Sequence, residues 1–416
     1  MALIAESKGF TAPDEDTTDC VSLTSSVWGS EAPKTHLLFA MGNSQAAVNT
    51  SMKNSIGWSD ASDQVAIGNG SENGQGTSIC NRTHQTAYVT HPLSNNGGTY
   101  ERAVQSSYSA STPRIAHTWS SSAEEGYYYW LMALGGDDVE NISIDVISTK
   151  SGSTGDVSYT GPGFEPDFLL AFSSAGHTSG LPYSAVHSVQ GFGFSDGTTD
   201  ACNYNASLDA QSTSNTYCVH SANFLHITGS TGSDTVTATV KSLDSSGYTL
   251  TYGDVHASVG FYYTIIAIKG PAAKVVTTTQ PASNTTNDLD AGFVPKAGIC
   301  LGAMKTASQT STSNNRFTIG TWDEQDNMDA GGWMDEHGQT TTDVDRYISN
   351  AYSIVNYNHA QAVVGRATVA AQGNGIRETW TSTDGTQYAH SWLLLGDTPS
   401  ETATTNDAFL LFLDSL

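Results

Sequence analysis

The sequence predicts an all-β protein built from three tandem antiparallel β-sandwich, jelly-roll-like domains. One pattern recurs three times at a step of roughly 130 residues, marked by Pro33, Pro166 and Pro295. A step of that length is a whole domain and exceeds any short solenoid repeat. Short runs rich in Val, Ile, Tyr, Phe and Thr alternate with clusters of Gly, Ser, Asn and Asp, the signature of strands and turns. No window carries the 3.6-residue apolar period of an amphipathic helix.

Each copy opens on a strand ahead of its proline: ALIAESKGF, VENISIDVIST and AAKVVTTTQPAS. The junctions GGDD and KGPAAK place boundaries at 136/137 and 270/271, giving domains 1–136, 137–270 and 271–416. Junctions this short predict a rigid string of three beads. An apolar strand follows each proline. The second copy then shows a hairpin: Val236, Ala238 and Val240 share one face, DSSG turns the chain, and Tyr248, Leu250 and Tyr252 share a face on the return. IAHTW (115–119) and YAHSW (388–392) repeat the return strand. That alignment makes His117 and His390 equivalent, at a place where the second copy has Leu250, so half-buried packing is expected of both. The closing strands read YYYWLMALGG, FYYTIIAIKG and, at the C-terminus, AFLLFLDSL. Alternate positions of YYYW must face opposite sides of a sheet, which asks for a second surface.

Composition narrows the function. There are 41 Asp plus Glu against 16 Lys plus Arg, a net charge of −25. Such a surface repels phosphate backbones, so no nucleic-acid partner is expected. Solubility, or adaptation to salty water, accounts for the acidity. No run approaches the ~18 apolar residues of a membrane span, and the N-terminus lacks a charged region followed by a long apolar stretch. Synthesis in the cytoplasm without a membrane partner is the expectation. The five cysteines, Cys20, Cys80, Cys202, Cys218 and Cys300, show no CxxC, which argues against a disulfide framework and a zinc site. Cys80 and Cys218 fall at equivalent places and suit a core; a Cys202–Cys218 disulfide is the alternative.

One pattern could carry chemistry. Each copy has an aromatic residue followed by carboxylates: Trp58 with Asp60 and Asp63, Phe194 with Asp196 and Asp200, and Trp322 with Asp323, Asp326 and Asp329. Loop oxygens of this kind hold a hard cation such as Ca²⁺, and Asp323, Asp326 and Asp329 form the best set. The spacing is not that of an EF-hand, and Asx turns that satisfy their own backbone compete with the metal. Twelve histidines yield neither HExxH nor a nucleophile elbow, and His337 in DEHGQ falls in a solvated loop. No catalytic residue and no enzyme activity is predicted.

The phrase G-F-x-P-[DK] ahead of an apolar strand, then D-x-x-G-[YF]-T-L, then an aromatic-aliphatic strand ending A-[IL]-x-G, resembles a tandem β domain of virion structural proteins of tailed phages. The second copy carries it through Gly163, Phe164, Pro166, Asp167, Gly247, Tyr248, Thr249 and Leu250, and the third through Gly292, Phe293, Pro295 and Lys296. The first departs, with SEAPK in that place. The resemblance implies a non-enzymatic virion protein, assembled in the host cytoplasm and in contact with other capsid or tail proteins. A homo-oligomer is also expected. The chain lacks coiled-coil heptads and fibre-like repeats, which favours the head exterior, as a decoration, turret or spike protein. A tail or baseplate protein that binds a receptor or a host surface glycan is the alternative, since repeated domains offer multivalent weak sites. A polysaccharide depolymerase acting through paired carboxylates is a third reading.

Overall fold

The computed structural model describes residues 2–13, 17–42, 48–93, 101–120, 127–174, 180–228, 234–306, 312–358, 360 and 362–398. Within them the chain forms three large antiparallel sheets and three small ones, as an all-β sandwich fold requires. The first large sheet runs Ile4–Thr11, Tyr128–Gly135, Pro33–Gly42, Met52–Asp60, Gln64–Ser71, Cys80–Gln85. The second repeats that order with Asn141–Ser148, Tyr262–Lys269, Phe168–Ser173, Ser188–Ser195, Asp200–Ser207 and Thr216–Ser221. The third does so with Ala272–Thr279, Ala389–Gly396, Pro295–Lys305, Asn315–Asp323, Met328–Asp335 and Val344–Ser349. All three predicted opening strands are present, each at a sheet edge beside a closing strand.

A seventh strand completes each large sheet, and it is borrowed. Tyr183–Val186 of the second unit pairs with Cys80–Gln85 of the first. Thr312–Ser313 of the third pairs with Thr216–Ser221 of the second, and Val48–Thr50 of the first pairs with Val344–Ser349 of the third. The exchange is cyclic, so the chain closes into a ring. The residue that returns each crossing segment to its own sheet is left-handed in all three: Ser51 at φ 66°, His187 at 70° and Asn314 at 73°. This corrects the string of beads. The junctions are short, as expected, but exchanged strands and not linkers set the arrangement.

A common apolar core fills the ring. Leu37, Phe39 and Met41 of the first unit meet Leu170, Phe172 and Phe192 of the second and Ile299, Phe317 and Trp333 of the third in one cluster. Neighbouring side chains on the same strands, such as Leu38 and Ala40, face the small sheet of their own unit instead. The second and third units have matching private cores. Both faces of the central strands are therefore covered, which is why HLLFAMG and YYYWLMALG read as unbroken apolar runs. In YYYW, Tyr127 and Tyr129 enter the private core while Tyr128 and Trp130 enter the common one. The shared core crosses both expected boundaries, 136/137 and 270/271.

Three equivalent turns interlock at one end of the ring. Ala210 N–H donates to Ser78 O (2.8 Å) and Ser78 N–H to Gln211 O (2.9 Å). Gly338 and Ser214 exchange bonds with Ser214 and Gln339 in the same way, as do Gly74 and Thr342 with Thr342 and Gln75. The Ser78, Ser214 and Thr342 hydroxyls each accept a glutamine N–H at 2.9 Å, from Gln211, Gln339 and Gln75. The next backbone amides also cross between units: Cys80 N–H to Asp209 Oδ1, Thr216 N–H to His337 Nδ1 and Val344 N–H to Asn73 Oδ1. His337 is thus a half-buried acceptor between units and not a solvated loop residue. Beneath the turns, the equivalent residues Ser71, Ser207 and Asp335 converge. Ser71 Oγ donates to Asp335 Oδ2 at 3.0 Å, and burial pushes Asp335 up to about 7, opposed by the Ser207 and Ser71 hydroxyls.

Pairing registers revise the equivalences read by eye. The return strand of the third unit is Gly375–Thr383, so Ile376, Glu378 and Trp380 match Ile115, His117 and Trp119. YAHSW belongs to the closing strand Ala389–Gly396, and AFLLFLDSL lies outside the described residues. His117 and His390 therefore sit on different kinds of strand, and both are fully buried rather than half-buried. Cys80 and Cys218 occupy equivalent strands two residues out of step, since Cys80 faces Ser71 while Thr216 faces Ser207. Both are buried, as expected of core residues, and all five cysteines are thiols. Cys202 lies opposite Ser221 and Cys218 opposite Asn205, a register that separates the two thiols.

Candidate functional site

The aromatic–carboxylate pattern marks the seams of the ring. Each opening strand packs beside a hairpin of the preceding unit, and an aspartate caps that hairpin's turn. Asp60 Oδ1 accepts N–H groups from Ser62 and Asp63, Asp196 Oδ1 from Thr198 and Thr199, and Asp323 Oδ1 from Gln325 and Asn327. These are Asx turns. Two of the aspartates do more with the other oxygen. Asp196 Oδ2 accepts Val275 N–H at 2.9 Å, and Asp323 Oδ2 accepts Ser7 N–H at 2.7 Å. Ser7 and Val275 occupy the same place on their opening strands, as the pairings with Met132 and Leu393 show. One carboxylate thereby closes its own turn and pins the next unit.

The seam between the third and first units differs chemically from the others. At the second seam Val275 packs in the common core with Phe194 and Ala201, and at the first Ile144 lies against the core that holds Trp58 and Val65. The matching residues at the third seam are Ser7, Thr321 and Asp329. Ser7 Oγ and Thr321 Oγ1 are 2.7 Å apart, Ser7 Oγ lies 3.4 Å from Asp329 Oδ2, and Tyr128 Oη donates to Asp329 Oδ1 at 2.6 Å. Gly9 makes the last contact possible, because a Cβ there would lie 1.8 Å from Tyr128 Oη. Burial raises Asp329 to about 7 against the pull of the Tyr128 and Ser7 hydroxyls, with a further push from Asp323. Burial likewise raises Asp323 to about 6, opposed by its bonds from Asn327, Ser7 and Gln325.

Asp323, Asp326 and Asp329 thus share one hairpin but have different surroundings. Asp323 is buried, with four N–H groups on its two oxygens, the fourth from Asn327 Nδ2 at 2.9 Å. Asp326 is exposed at the turn with φ 61°. Asp329 is buried beside the first unit. Among the described residues no group of three or more His, Cys, Asp or Glu is placed to hold a metal ion. A cleft of about 280 Å³ opens at this seam, lined by Lys8, Tyr128, Asp326, Asn327, Asp329 and Asn350 among others.

Ser7, Tyr128 and Thr321 were not legible as site residues. Aligning Trp322 with Trp58 and Phe194 hid them, because the register makes Thr321 their equivalent and sends Trp322 to the private core of the third unit. The buried His36, His117, His220 and His390 are committed to packing and hydrogen bonds. His390 Nε2 lies 2.6 Å from Glu378 Oε1, and His36 and His117 Nε2 atoms are 3.1 Å apart. No helix is long and apolar enough to cross a membrane among the described residues. No family model matches the chain, and no curated protein matches it.

Proposed function

We propose that the protein is a non-enzymatic structural protein of a tailed virus, displayed on the particle surface as a head decoration, turret or spike. The observation that carries this reading is the cyclic strand exchange, which makes a single chain into a threefold block. Such a block offers three matched contacts to a partner of the same symmetry, and matched weak contacts add as avidity. The end with the three interlocked turns suits seating. Its exposed tips, including Thr77, Ser212, Thr213, Thr340 and Thr341, carry no charge, although the chain has a net charge of −25. Half-buried Glu72, Asp209, Glu336 and Asp343 stand behind these tips, and the acidic surface as a whole keeps neighbouring particles apart. The buried, hydrogen-bonded state of His36, His117, His220 and His390 supports a structural use of these side chains. Virion membership rests on the resemblance carried by GFEPD and GFVPK.

The test is immunogold electron microscopy of purified particles with antibodies to this chain. Label over the head is expected. Label at the tail would replace the decoration reading with receptor or glycan binding, and particles without label would overturn virion membership. Release of reducing sugar from host polysaccharide by the purified chain would instead make it a depolymerase.

A further inference from the structure

We infer that the cleft between the third and first units binds a neutral, hydroxyl-rich molecule the size of one sugar ring. The inference does not depend on where the protein sits on a particle. It begins from the broken symmetry. Two seams pack apolar side chains where the third buries a carboxyl and three hydroxyls, those of Ser7, Thr321 and Tyr128. Polar burial costs free energy that Val275, Phe194 and Ala201 avoid at the same positions. Local departures from good packing concentrate at functional sites, and this departure occurs in one seam of three.

The polar cluster is also open to a ligand, because the cleft reaches Asp329 and Tyr128. Asp329 Oδ1 is taken by Tyr128, but Oδ2 has only the long 3.4 Å contact from Ser7, so it keeps acceptor capacity. Around it stand the Lys8 amine and the Asn350 amide as donors, with Asp326 as a second acceptor. A sugar hydroxyl both donates and accepts, so adjacent hydroxyls match this alternation. Two carboxylates against one amine disfavour an anion, and a neutral ligand brings no charge to be desolvated. At about 280 Å³ the cleft lies just below the roughly 300–1,000 Å³ of small-molecule sites, which suits one ring.

The test is an NMR titration of the intact chain with a panel of neutral hexoses and N-acetylhexosamines. Saturable shifts confined to residues 7–9, 326–329 and 350 are expected for at least one sugar. Asn350→Ala, at an exposed rim position, should weaken that binding roughly tenfold, the loss of about one hydrogen bond, with an unchanged thermal melt. Asp326→Asn should also weaken it and serves as the second variant. Failure of every sugar to saturate would overturn the inference, as would binding that neither substitution alters. Ca²⁺ moving the same resonances while no sugar does would assign the cleft to a cation and equally overturn it.

Discussion

The second and third seams of the ring use the same strands and the same aspartate, yet one is dry and the other is polar. Val275 lies over Phe194 and Ala201 at the second, and Ser7 lies over Thr321 and Asp329 at the third. Both keep the bond from an opening-strand N–H to the turn aspartate. Closing the ring therefore needs that bond and an apolar or hydrogen-bonded filling, and it does not dictate which. The third seam is also the one that no peptide link spans. Its units are joined by the exchanged strand Val48–Thr50 on Val344–Ser349 and by side-chain bonds, including Lys296 Nζ on Leu3 O at 3.1 Å and Leu3 N–H on Asp397 Oδ1 at 2.8 Å.

The largest effect should come from the core beneath both seams. Trp333 is fully buried and stacks on Phe317 with centroids 4.2 Å apart. Trp333→Ala should cost about 3–5 kcal/mol and speed hydrogen exchange in Ile4–Thr11 and Ala272–Thr279 together. Loosening of one strand alone would mean that the two seams do not share a core.

A second effect should separate the seams by pH. Asp323 at about 6 and Asp329 at about 7 lie above the ordinary aspartate value near 3.9. The folded state then holds protons that the unfolded chain has released, so stability falls as pH rises from about 4 to about 7 and levels off above. Asp335 at about 7 and Glu101, also raised to about 7 by burial, add to the same global slope. The local signature is a greater loss of exchange protection in Ile4–Thr11 than in Ala272–Thr279 across that window. Asp329→Asn should reduce this difference. Equal pH dependence of the two strands in the wild-type chain would show that the buried acids do not weaken their own seam.

The three turn aspartates should then rank by how many buried groups lose a partner with them. Asp323→Ala strands buried N–H groups of Ser7 and Asn327 and should cost about 1–3 kcal/mol. Asp196→Ala strands the Val275 N–H and frees Lys274 at 3.3 Å; it should cost less than Asp323→Ala, since fewer buried N–H groups lose their acceptor and that amine stays in solvent. Asp60→Ala removes only its own turn cap and should cost about 1 kcal/mol or less. Urea melts give the order, and a cost for Asp60 equal to that for Asp323 would deny the seam bond any weight.

Much of the fold was legible because burial on both faces leaves unbroken apolar runs, and because Pro33, Pro166 and Pro295 mark the repeat. The ring was not. The exchanged strands are short, such as Thr312–Ser313, and their partners lie far away in sequence, so periodicity carries no trace of them. The candidate site was half legible. Asp323, Asp326 and Asp329 stood out as a departure of the third copy, but their surroundings come from Ser7 and Tyr128, more than 190 positions away in sequence. Gln75, Gln211 and Gln339 did offer a signal, each preceded by Gly or Ala and with a hydroxyl-bearing residue two positions on.

That signal yields the smallest prediction and the sharpest check on equivalence. Gly74, Ala210 and Gly338 precede the three glutamines and are all left-handed, with φ of 74°, 58° and 79°. A Cβ at Gly74 or Gly338 would meet nothing within 4 Å, so only the backbone conformation opposes a side chain there. Left-handed geometry costs a non-glycine residue about 1–2 kcal/mol, and the extra freedom of glycine in the unfolded chain returns roughly 0.4–1 of that. Ala210→Gly should therefore stabilise the protein by about 0.5 kcal/mol, while Gly74→Ala and Gly338→Ala each destabilise it by a similar amount. Thermal melts of the three variants decide the matter. If Ala210→Gly and Gly74→Ala shift the midpoint in the same direction, the second turn does not carry the strain that its place in the ring assigns to it.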